Sequence, residues 1–194
     1  MQDDDSLPLS WRQRPRPIGQ EMVYRLHDGE LEVDSGRKSY RIRLAAIERV
    51  RFFYAPSNVT SNAFRTQLTL ADRRTVTFGN LSWRSMTDVE RDDARYHAFV
   101  SGLSAAIVRA NPQVRFVAGR NRVFWLALAI AGVAAMLMLT WFSVSAFRQG
   151  ATAAGWLGIA FAALSAWQVI PMVRLNRPRE LAPGTVPPDL VPGG

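Results

Sequence analysis

Residues 120–150, RNRVFWLALAIAGVAAMLMLTWFSVSAFRQG, decide the architecture of this chain. Between Arg122 and Arg148, 25 consecutive residues carry no charge. As a helix they extend about 37 Å, which exceeds the roughly 30 Å hydrocarbon core of a bilayer. Eleven of them are Leu, Ile, Val or Phe. These side chains favour insertion by about 5 kcal/mol before the polar residues are counted. The stretch therefore predicts a membrane-spanning helix, because a buried helix of a soluble protein is rarely this long and apolar all round.

A second uncharged stretch, residues 149–173, follows directly. It has only seven Leu, Ile, Val or Phe residues and also contains Gln168 and Pro171, so alone it would insert weakly. Paired with the first span across the short turn at residues 148–150, it can enter the bilayer as a helical hairpin. The sequence thus predicts transmembrane helix 1 at residues 119–148 and transmembrane helix 2 at residues 149–174.

Arginines border the two predicted spans mainly on one side. Six of them are predicted to anchor the chain at a membrane surface: Arg115, Arg120, Arg122, Arg174, Arg177 and Arg179. Arg109 adds a seventh, whereas the turn between the spans has Arg148 alone. Under the positive-inside rule, this asymmetry predicts that both termini are cytoplasmic, in the inner membrane of a bacterium. Each arginine near anionic lipid contributes about 1 kcal/mol to binding.

Small residues recur every four positions in both spans. The series are Ala127, Ala131 and Ala135 in the first span, and Ala154, Gly158, Ala162 and Ala166 in the second. This spacing places each series on one helix face, where small side chains let two backbones approach closely. We interpret them as helix-packing residues, although Ala-rich spans also produce such patterns by chance. Whether the packing joins the two spans or recruits another protein is open from the sequence.

The region before the spans alternates apolar and polar residues, which is typical of short antiparallel strands. The predicted strands are residues 22–26, 31–33, 40–44, 48–54, 64–70 and 75–78. A two-residue turn at Ser35 and Gly36 would set Leu31 opposite Tyr40. In the strand at residues 48–54, Phe53 faces away from Phe52 and is predicted to be exposed, as a possible contact for a partner.

Three carboxylates, Glu30, Glu32 and Asp34, occupy alternate positions of one predicted strand. Such a row can bind a metal, but Arg37 and Arg41 arrive on the same face of the next strand. The pattern therefore favours cross-strand ion pairs over a metal site.

Residues 87–110 change to a period of three to four, which predicts an amphipathic helix. Thr87 and Glu90 fit a capping box, and Asn111-Pro112 stops the helix. A small curved antiparallel sheet followed by one long helix resembles the bacterial pleckstrin-homology-like (PH-like) domains found next to transmembrane helices. The predicted fold is therefore α+β: a PH-like antiparallel β-sheet or barrel capped by a C-terminal amphipathic helix, followed by a two-helix transmembrane hairpin.

The resemblance covers about residues 20–115 and rests on element order, with the domain predicted at residues 20–118. One strand of the usual seven is missing, and the weak stretch near Leu81 and Trp83 can supply it. PH-like folds are known for binding phosphoinositides. That property is not carried over, because the counterpart of the basic first loop reads HDGE, which is acidic, and Arg37 and Lys38 lie one hairpin later.

The two ends of the chain have biased compositions. Residues 1–19 are acidic and then rich in proline and arginine, which predicts a mostly disordered arm. Residues 175–194 have prolines throughout and favour extended conformations. This tail is either a docking peptide on a cytoplasmic surface or a solvated tail.

No catalytic, cofactor-binding or metal-binding constellation is predicted. The chain has no cysteine, and its two histidines have no sequence link to a nucleophile. The net charge of +8 reflects arginines that flank the spans, so nucleic-acid binding is not predicted. The expected function is non-catalytic: the domain binds or scaffolds a partner, as an accessory subunit of a larger membrane complex, with membrane lipids and another membrane protein as partners. The alternative is a module that senses anionic lipid.

Overall fold

The computed structural model describes residues 9–55, 63–85 and 88–193. The chain divides into two compact units, one made of residues 1–118 and 179–194 and the other of residues 119–178. The first unit is a mixed α+β domain and the second is a pair of long helices, so the predicted α+β class with two apolar helices is confirmed. The helical pair is inserted into the β domain, which extends beyond the predicted residues 20–118 on both sides.

One sheet of the domain has four antiparallel strands in the order β1-β2-β3-β4. Their bounds are β1 Ser10–Gln13, β2 Met22–His27, β3 Glu30–Asp34 and β4 Ser39–Arg43. The last three strands were predicted. The first lies inside residues 1–19, which were predicted to be a disordered arm, and it folds because the alternating Trp11 and Gln13 are buried against the domain. Residues 1–8 lie outside the described residues.

The β3–β4 hairpin has a different register from the predicted one. Leu31 lies opposite Ile42, so its predicted pairing with Tyr40 is wrong by two residues. The reason is a longer turn, residues 35–38, in which Gly36 has a φ of 75° that a residue with a side chain rarely adopts. A shift of two residues keeps each side chain on its face of the sheet, so the predicted inward face is retained. Tyr40 is nevertheless 43% exposed.

The second sheet has five strands in the order β11-β10-β5-β6-β7. Their bounds are β5 Ile47–Tyr54, β6 Phe64–Leu70, β7 Thr75–Gly79, β10 Arg115–Ala118 and β11 Arg179–Leu181. The first three of these pair antiparallel and were predicted. In contrast, β10 and β11 were not predicted. β10 pairs parallel with β5, and β11 pairs antiparallel with β10.

Helix α1 runs from Asp93 to Ala110 and therefore begins six residues later than the predicted start. Asp92 is its N-cap, and the Asp92 side chain accepts a hydrogen bond of 3.0 Å from the Arg95 N–H. The predicted apolar stripe is confirmed, because five of its residues are buried: Tyr96, Phe99, Val100, Leu103 and Ile107.

The residues predicted to open this helix form a strand instead. β9, Val89–Arg91, pairs antiparallel with β8, Leu81–Trp83, which supplies the strand that the sequence left uncertain. Glu90 bonds to Arg84 across this pair at 2.8 Å, so it does not form the predicted capping box. Thr87, the other member of that box, lies outside the described residues.

Aromatic rings connect the two sheets and the helix in the core. The Phe78 ring lies 5.0 Å from the Tyr24 ring and 5.6 Å from the Phe99 ring, centroid to centroid. Tyr96 is fully buried, and its hydroxyl is 2.7 Å from the Thr66 hydroxyl. Burial raises the pKa of Tyr96 because the low dielectric disfavours the phenolate. This cluster explains why the helix packs against both sheets.

The proline-rich tail folds back onto its own domain. Leu190 and Val191 are both 0% exposed. A Cβ on Gly184 would lie 3.5 Å from the Val108 side chain, and one on Gly193 would lie 2.5 Å from the Asp93 carbonyl oxygen. The tail therefore runs along α1 from the end of the helix to its start. The tail is therefore not fully solvated, because Leu190 and Val191 are buried on the domain of the same chain, while residues 182, 183, 185, 188 and 189 are exposed.

The second unit contains α2, Arg122–Arg148, and α3, Thr152–Leu175. Both helices are long and apolar enough to cross a membrane. The Asn121 side chain caps α2 by accepting a hydrogen bond of 2.9 Å from the Val123 N–H. The predicted helical pair is thus confirmed, with a turn at residues 149–151.

Candidate interaction surfaces

The two chain segments at the open end of the helical pair are bonded to each other. The Arg120 N–H donates to the Asn176 carbonyl oxygen at 3.1 Å. One turn further along, the Trp125 Nε1 donates to the Val173 carbonyl oxygen at 2.8 Å. Gly119 has a φ of 80°, and a Cβ on it would lie 2.5 Å from the Asn176 carbonyl oxygen. Only glycine fits this crossing, so the two segments are held at a fixed close distance.

Four of the predicted anchoring residues belong to this end of the helical pair. Arg122 is the first residue of α2, and Arg174 lies in the last turn of α3. Arg177 is exposed just beyond α3. The Arg120 guanidinium lies 4.9 Å from the centre of the Phe124 ring, a cation–π arrangement. These four arginines thus gather where the two helices begin and end.

The other two predicted anchoring residues belong to the β domain. Arg115 is exposed on β10, and Arg179 lies on β11. The Arg179 guanidinium forms an ion pair with the Asp189 carboxylate in the tail. Arg179 therefore has a partner within the domain, in addition to its predicted role at a membrane surface.

On α3, the predicted small-residue series faces α2. A Cβ on Gly158 would collide with the Ser143 hydroxyl, and one on Gly155 would lie 2.6 Å from the Phe147 ring. Gly158 is buried, and its series-mates Ala154, Ala162 and Ala166 are partly buried. This series lies at the contact between the two helices.

On α2, the contact with α3 uses other residues. Ala127 and Ala131 are exposed, and Ala135 is half-buried. Instead, a Cβ on Gly132 would lie 2.7 Å from the Val169 side chain. The predicted α2 series is therefore rotated away from α3 at two of its three positions. Gly132 was the residue that should have indicated this contact. It was missed because it does not belong to the series of small residues that starts at Ala127 and recurs every four positions.

Phe53 is buried, with 8% exposure, so the prediction that it is exposed is wrong. Residues 52–55 are all buried, which shows that both faces of β5 are covered here. β5 lies inside its sheet, between β10 and β6. Alternation between buried and exposed residues applies to strands with one face in water, and it fails for a strand covered on both faces.

The row of carboxylates on β3 forms ion pairs, as the sequence predicts, but the partners are Arg41 and Arg25 of β2 instead of Arg41 and Arg37. Arg25 lies 3.7 Å from Asp34, and Arg41 lies 3.8 Å from Glu30. Glu32 accepts from His27 at 3.0 Å and from the Ser39 hydroxyl at 3.1 Å. These two hydrogen bonds, the one from His27 first, lower the pKa of Glu32.

The contact of Ser39, Glu32 and His27 is not a nucleophile–base pair. The Ser39 hydroxyl bonds to the Glu32 carboxylate, while His27 bonds to the other carboxylate oxygen. Activation of serine requires a base within reach of the hydroxyl, oriented by a third group. Within residues 9–55, 63–85 and 88–193, no group of three or more His, Asp or Glu residues could hold a metal ion.

A cavity of about 340 Å³ lies beside Gln13 between β1, β7 and β8. The Gln13 amide is used within the fold: its Nε2 donates to the Leu81 carbonyl oxygen at 2.9 Å, and its Oε1 accepts from the Gly79 N–H at 3.0 Å. This residue therefore ties β1 to the edge of the second sheet.

A smaller groove, of about 260 Å³, lies between the outer strands β4 and β7. Its lining is mainly apolar: Tyr40 and Ile42 from β4, and Leu70, Arg74, Thr75 and Val76 from the β6–β7 hairpin. Tyr40 is the only exposed aromatic residue in the described part of the β domain. The groove is thus an apolar surface that a partner can bind.

Comparison with family models, with curated proteins and with solved structures found no match to this chain.

Proposed function

We propose that this chain is a non-catalytic protein of the bacterial inner membrane whose cytoplasmic domain binds or scaffolds a protein partner. Its two apolar helices support the membrane location. The arginines at the open end of the helical pair support an orientation with both termini in the cytoplasm. In this role the protein is an accessory subunit of a larger membrane complex.

The observation that carries the proposal is the insertion of the helical pair between two paired strands of the domain. Ala118 lies opposite Arg179 in the β10–β11 ladder, and α2 and α3 begin and end within four residues of these positions. Links this short tether the domain at the membrane surface, where it meets other membrane proteins at high effective concentration. A PH-like fold agrees with the antiparallel strands followed by a C-terminal helix with a buried apolar stripe.

Affinity purification from membranes tests the function. The full chain, extracted in mild detergent, is expected to retain a membrane protein at a fixed stoichiometry. A chain reduced to residues 119–178 is the control, because it keeps the helical pair and lacks the domain. If the partner is retained by the full chain but not by residues 119–178, the partner binds through the domain. Absence of any stoichiometric partner from the full chain would contradict the proposal.

Single cysteines test the orientation, since the chain has none of its own. Gln149→Cys, in the turn between the helices, is expected to react with an impermeant maleimide from outside the cytoplasmic membrane. Ala105→Cys, exposed on α1, is expected to react only after permeabilisation. The opposite pattern would overturn the orientation.

The alternative function is sensing of anionic lipid, and one observation favours it: Arg37 and Lys38 are both exposed on the β3–β4 turn. A fluorophore on Ser39→Cys would report lipid contact in nanodiscs. Lipid sensing predicts a blue shift with phosphatidylglycerol that salt abolishes, and no shift with phosphatidylcholine. An Arg37→Gln/Lys38→Gln background should lose the shift. Identical emission in both lipids would exclude this alternative.

A further inference from the structure

We propose that the groove between β4 and β7 binds an extended, acidic segment of a partner protein, which adds as a strand to the free edge of β4. This inference rests on the proposed function and names the surface and the chemistry of the partner. Its observations are an unpaired backbone edge, an apolar lining and a basic rim.

The backbone pairing identifies the free groups of β4. The Ser35 N–H donates to the Lys38 carbonyl oxygen at 3.0 Å, and the Leu44 N–H donates to that of Gly29 at 2.9 Å. Hydrogen-bonded and non-hydrogen-bonded pairs alternate along an antiparallel ladder. Residues 39–43 lie between these bonds, and alternate residues there direct their backbone groups either to β3 or away from it. Tyr40 and Ile42 direct their backbone groups to β3.

The remaining residues of β4 direct their backbone groups away from β3. These residues are Ser39, Arg41 and Arg43. β4 ends the strand order of its sheet, and within the described residues no backbone group pairs with it on that side. Such a row of donors and acceptors is a template for one further strand.

The facing edge of β7 is covered at one end and open at the other. By the same alternation, Thr75, Thr77 and Gly79 direct their backbone groups away from β6, because Val76 and Phe78 lie on its hydrogen-bonded positions. The Gly79 N–H is bonded to the Gln13 side chain at 3.0 Å. The open part of this edge thus coincides with the groove.

Charge at the rim of the groove selects the partner. Arg74 lines the groove, Arg73 is exposed next to it in the β6–β7 turn, and Arg41 and Arg43 are exposed on β4, which forms one wall of the groove. Arg41 pairs with Glu30 and Arg74 pairs with Asp72. Arg43 and Arg73 form no ion pair with any described residue. The rim therefore has an excess of positive charge, which favours acidic side chains in the bound segment.

The alternation of strand side chains defines the pattern of the segment. On an added strand, one set of alternate side chains lies beside Tyr40 and Ile42, in the apolar groove, and the other lies beside Arg41 and Arg43. The matching sequence therefore alternates apolar and acidic residues over the length of β4.

The direct test measures binding of a fluorescent peptide, in which valine and glutamate alternate, to the full chain in phosphatidylcholine nanodiscs. Ser39→Pro removes a backbone donor that faces the free edge and leaves the bonds to β3 intact. Ser39→Ala is its matched control, because it loses the same hydroxyl and keeps the N–H. We expect about fivefold weaker binding to Ser39→Pro than to Ser39→Ala, from the loss of one hydrogen bond.

A second pair of changes does not touch the strand backbone. Arg43→Gln with Arg73→Gln is expected to weaken binding at low salt by about tenfold and to reduce the salt dependence. A control peptide in which serine replaces valine should bind weakly, because it cannot fill the apolar groove. Equal binding of both peptides, equal binding to all variants, or no binding to the unchanged protein would overturn the proposal.

The native partner separates this inference from the proposed function. If the protein binds a partner through its domain and the groove variants bind it equally well, the groove assignment is wrong and the proposed function stands. If no partner is retained by the full chain, the proposed function fails, whatever the peptide does. Loss of the partner with Ser39→Pro but not with Ser39→Ala supports both.

Discussion

Replacing Leu190 by alanine tests whether the tail is part of the folded domain. Leu190 is 0% exposed, so the change removes three buried carbons. At about 0.8 kcal/mol per buried carbon, the lost transfer free energy is about 2.4 kcal/mol, and an unfilled cavity raises the cost to about 3–5 kcal/mol. We therefore expect a large loss of domain stability from the truncation of a single residue of the tail.

Hydrogen exchange of the full chain in detergent measures this loss of stability amide by amide. Tryptophan fluorescence would be less selective, because the helical pair also contains tryptophans. If the tail and the sheet unfold together, a loss of about 3 kcal/mol accelerates exchange of the slowest β5 amides about a hundredfold. Ile18→Ala is the matched control, because Ile18 is 79% exposed and its truncation should change stability by less than about 0.5 kcal/mol.

The result that would refute the reasoning is equal exchange of β5 in Leu190→Ala, Ile18→Ala and the unchanged protein. Faster exchange confined to the tail would also refute it, because the tail would then be a separate unit whose loss the domain tolerates. Amides of the helical pair serve as an internal reference in all three proteins.

Three further predictions concern the core, the outer face of β3 and the helical pair. Tyr96→Phe should destabilise the domain by about 1–3 kcal/mol, since it leaves the buried Thr66 hydroxyl without its partner. Urea unfolding of proteins changed at Tyr96, at Thr66 and at both measures the interaction free energy between these two residues. If the two effects on stability are simply additive, the contact is contradicted. Glu32 has a lowered pKa in the folded state, so its carboxylate stabilises the domain above the ordinary glutamate pKa of about 4.3 and loses this effect as the pH falls through the lowered value. The stability gap between the unchanged protein and Glu32→Gln should therefore shrink on acidification, and a constant gap would contradict the assignment. Gly158→Leu should separate α2 from α3, whereas Ala160→Leu, on an exposed position, should not; spin-label distances across the helices measure this, and equal distances in both variants would contradict the packing.

The elements that the sequence predicts are those with long, regular patterns. Strands β2 to β7 have five or more residues each, and α1 repeats its apolar residues over five turns. The two apolar helices stand out by composition alone. These patterns depend on neighbours in the sequence, so local reasoning recovers them.

The missed elements are short and depend on distant partners. β1, β9, β10 and β11 have three or four residues each, too few for a period to be recognised. Phe116 of β10 pairs with Val50, far away in the sequence. In the tail, the adjacent Leu190 and Val191 were the available signal, but the surrounding prolines indicated only an extended chain, either docked or solvated. Proline is compatible with tertiary packing wherever its missing N–H is not needed.

Of the candidate surfaces, the sequence predicted the basic end of the helical pair and the ion pairs of β3. It did not predict the groove, because a gap between two sheet edges depends on how the sheets pack. The prediction for Phe53 failed for a related reason: both faces of the last part of β5 are covered, so its side chains no longer alternate between core and water. Burial of both strand faces cannot be read from one strand at a time.

The insertion of the helical pair between β10 and β11 has a consequence for biosynthesis. A ribosome makes β10 first, then about sixty residues of apolar helix and turn, and only then the strand that pairs with β10. Until translation reaches the last residues, β10 has no neighbour on one side and α1 lacks the segment that lies along it. The β domain can therefore be completed only after both apolar helices have been synthesised, so a finished β domain implies that the helical pair has already been made.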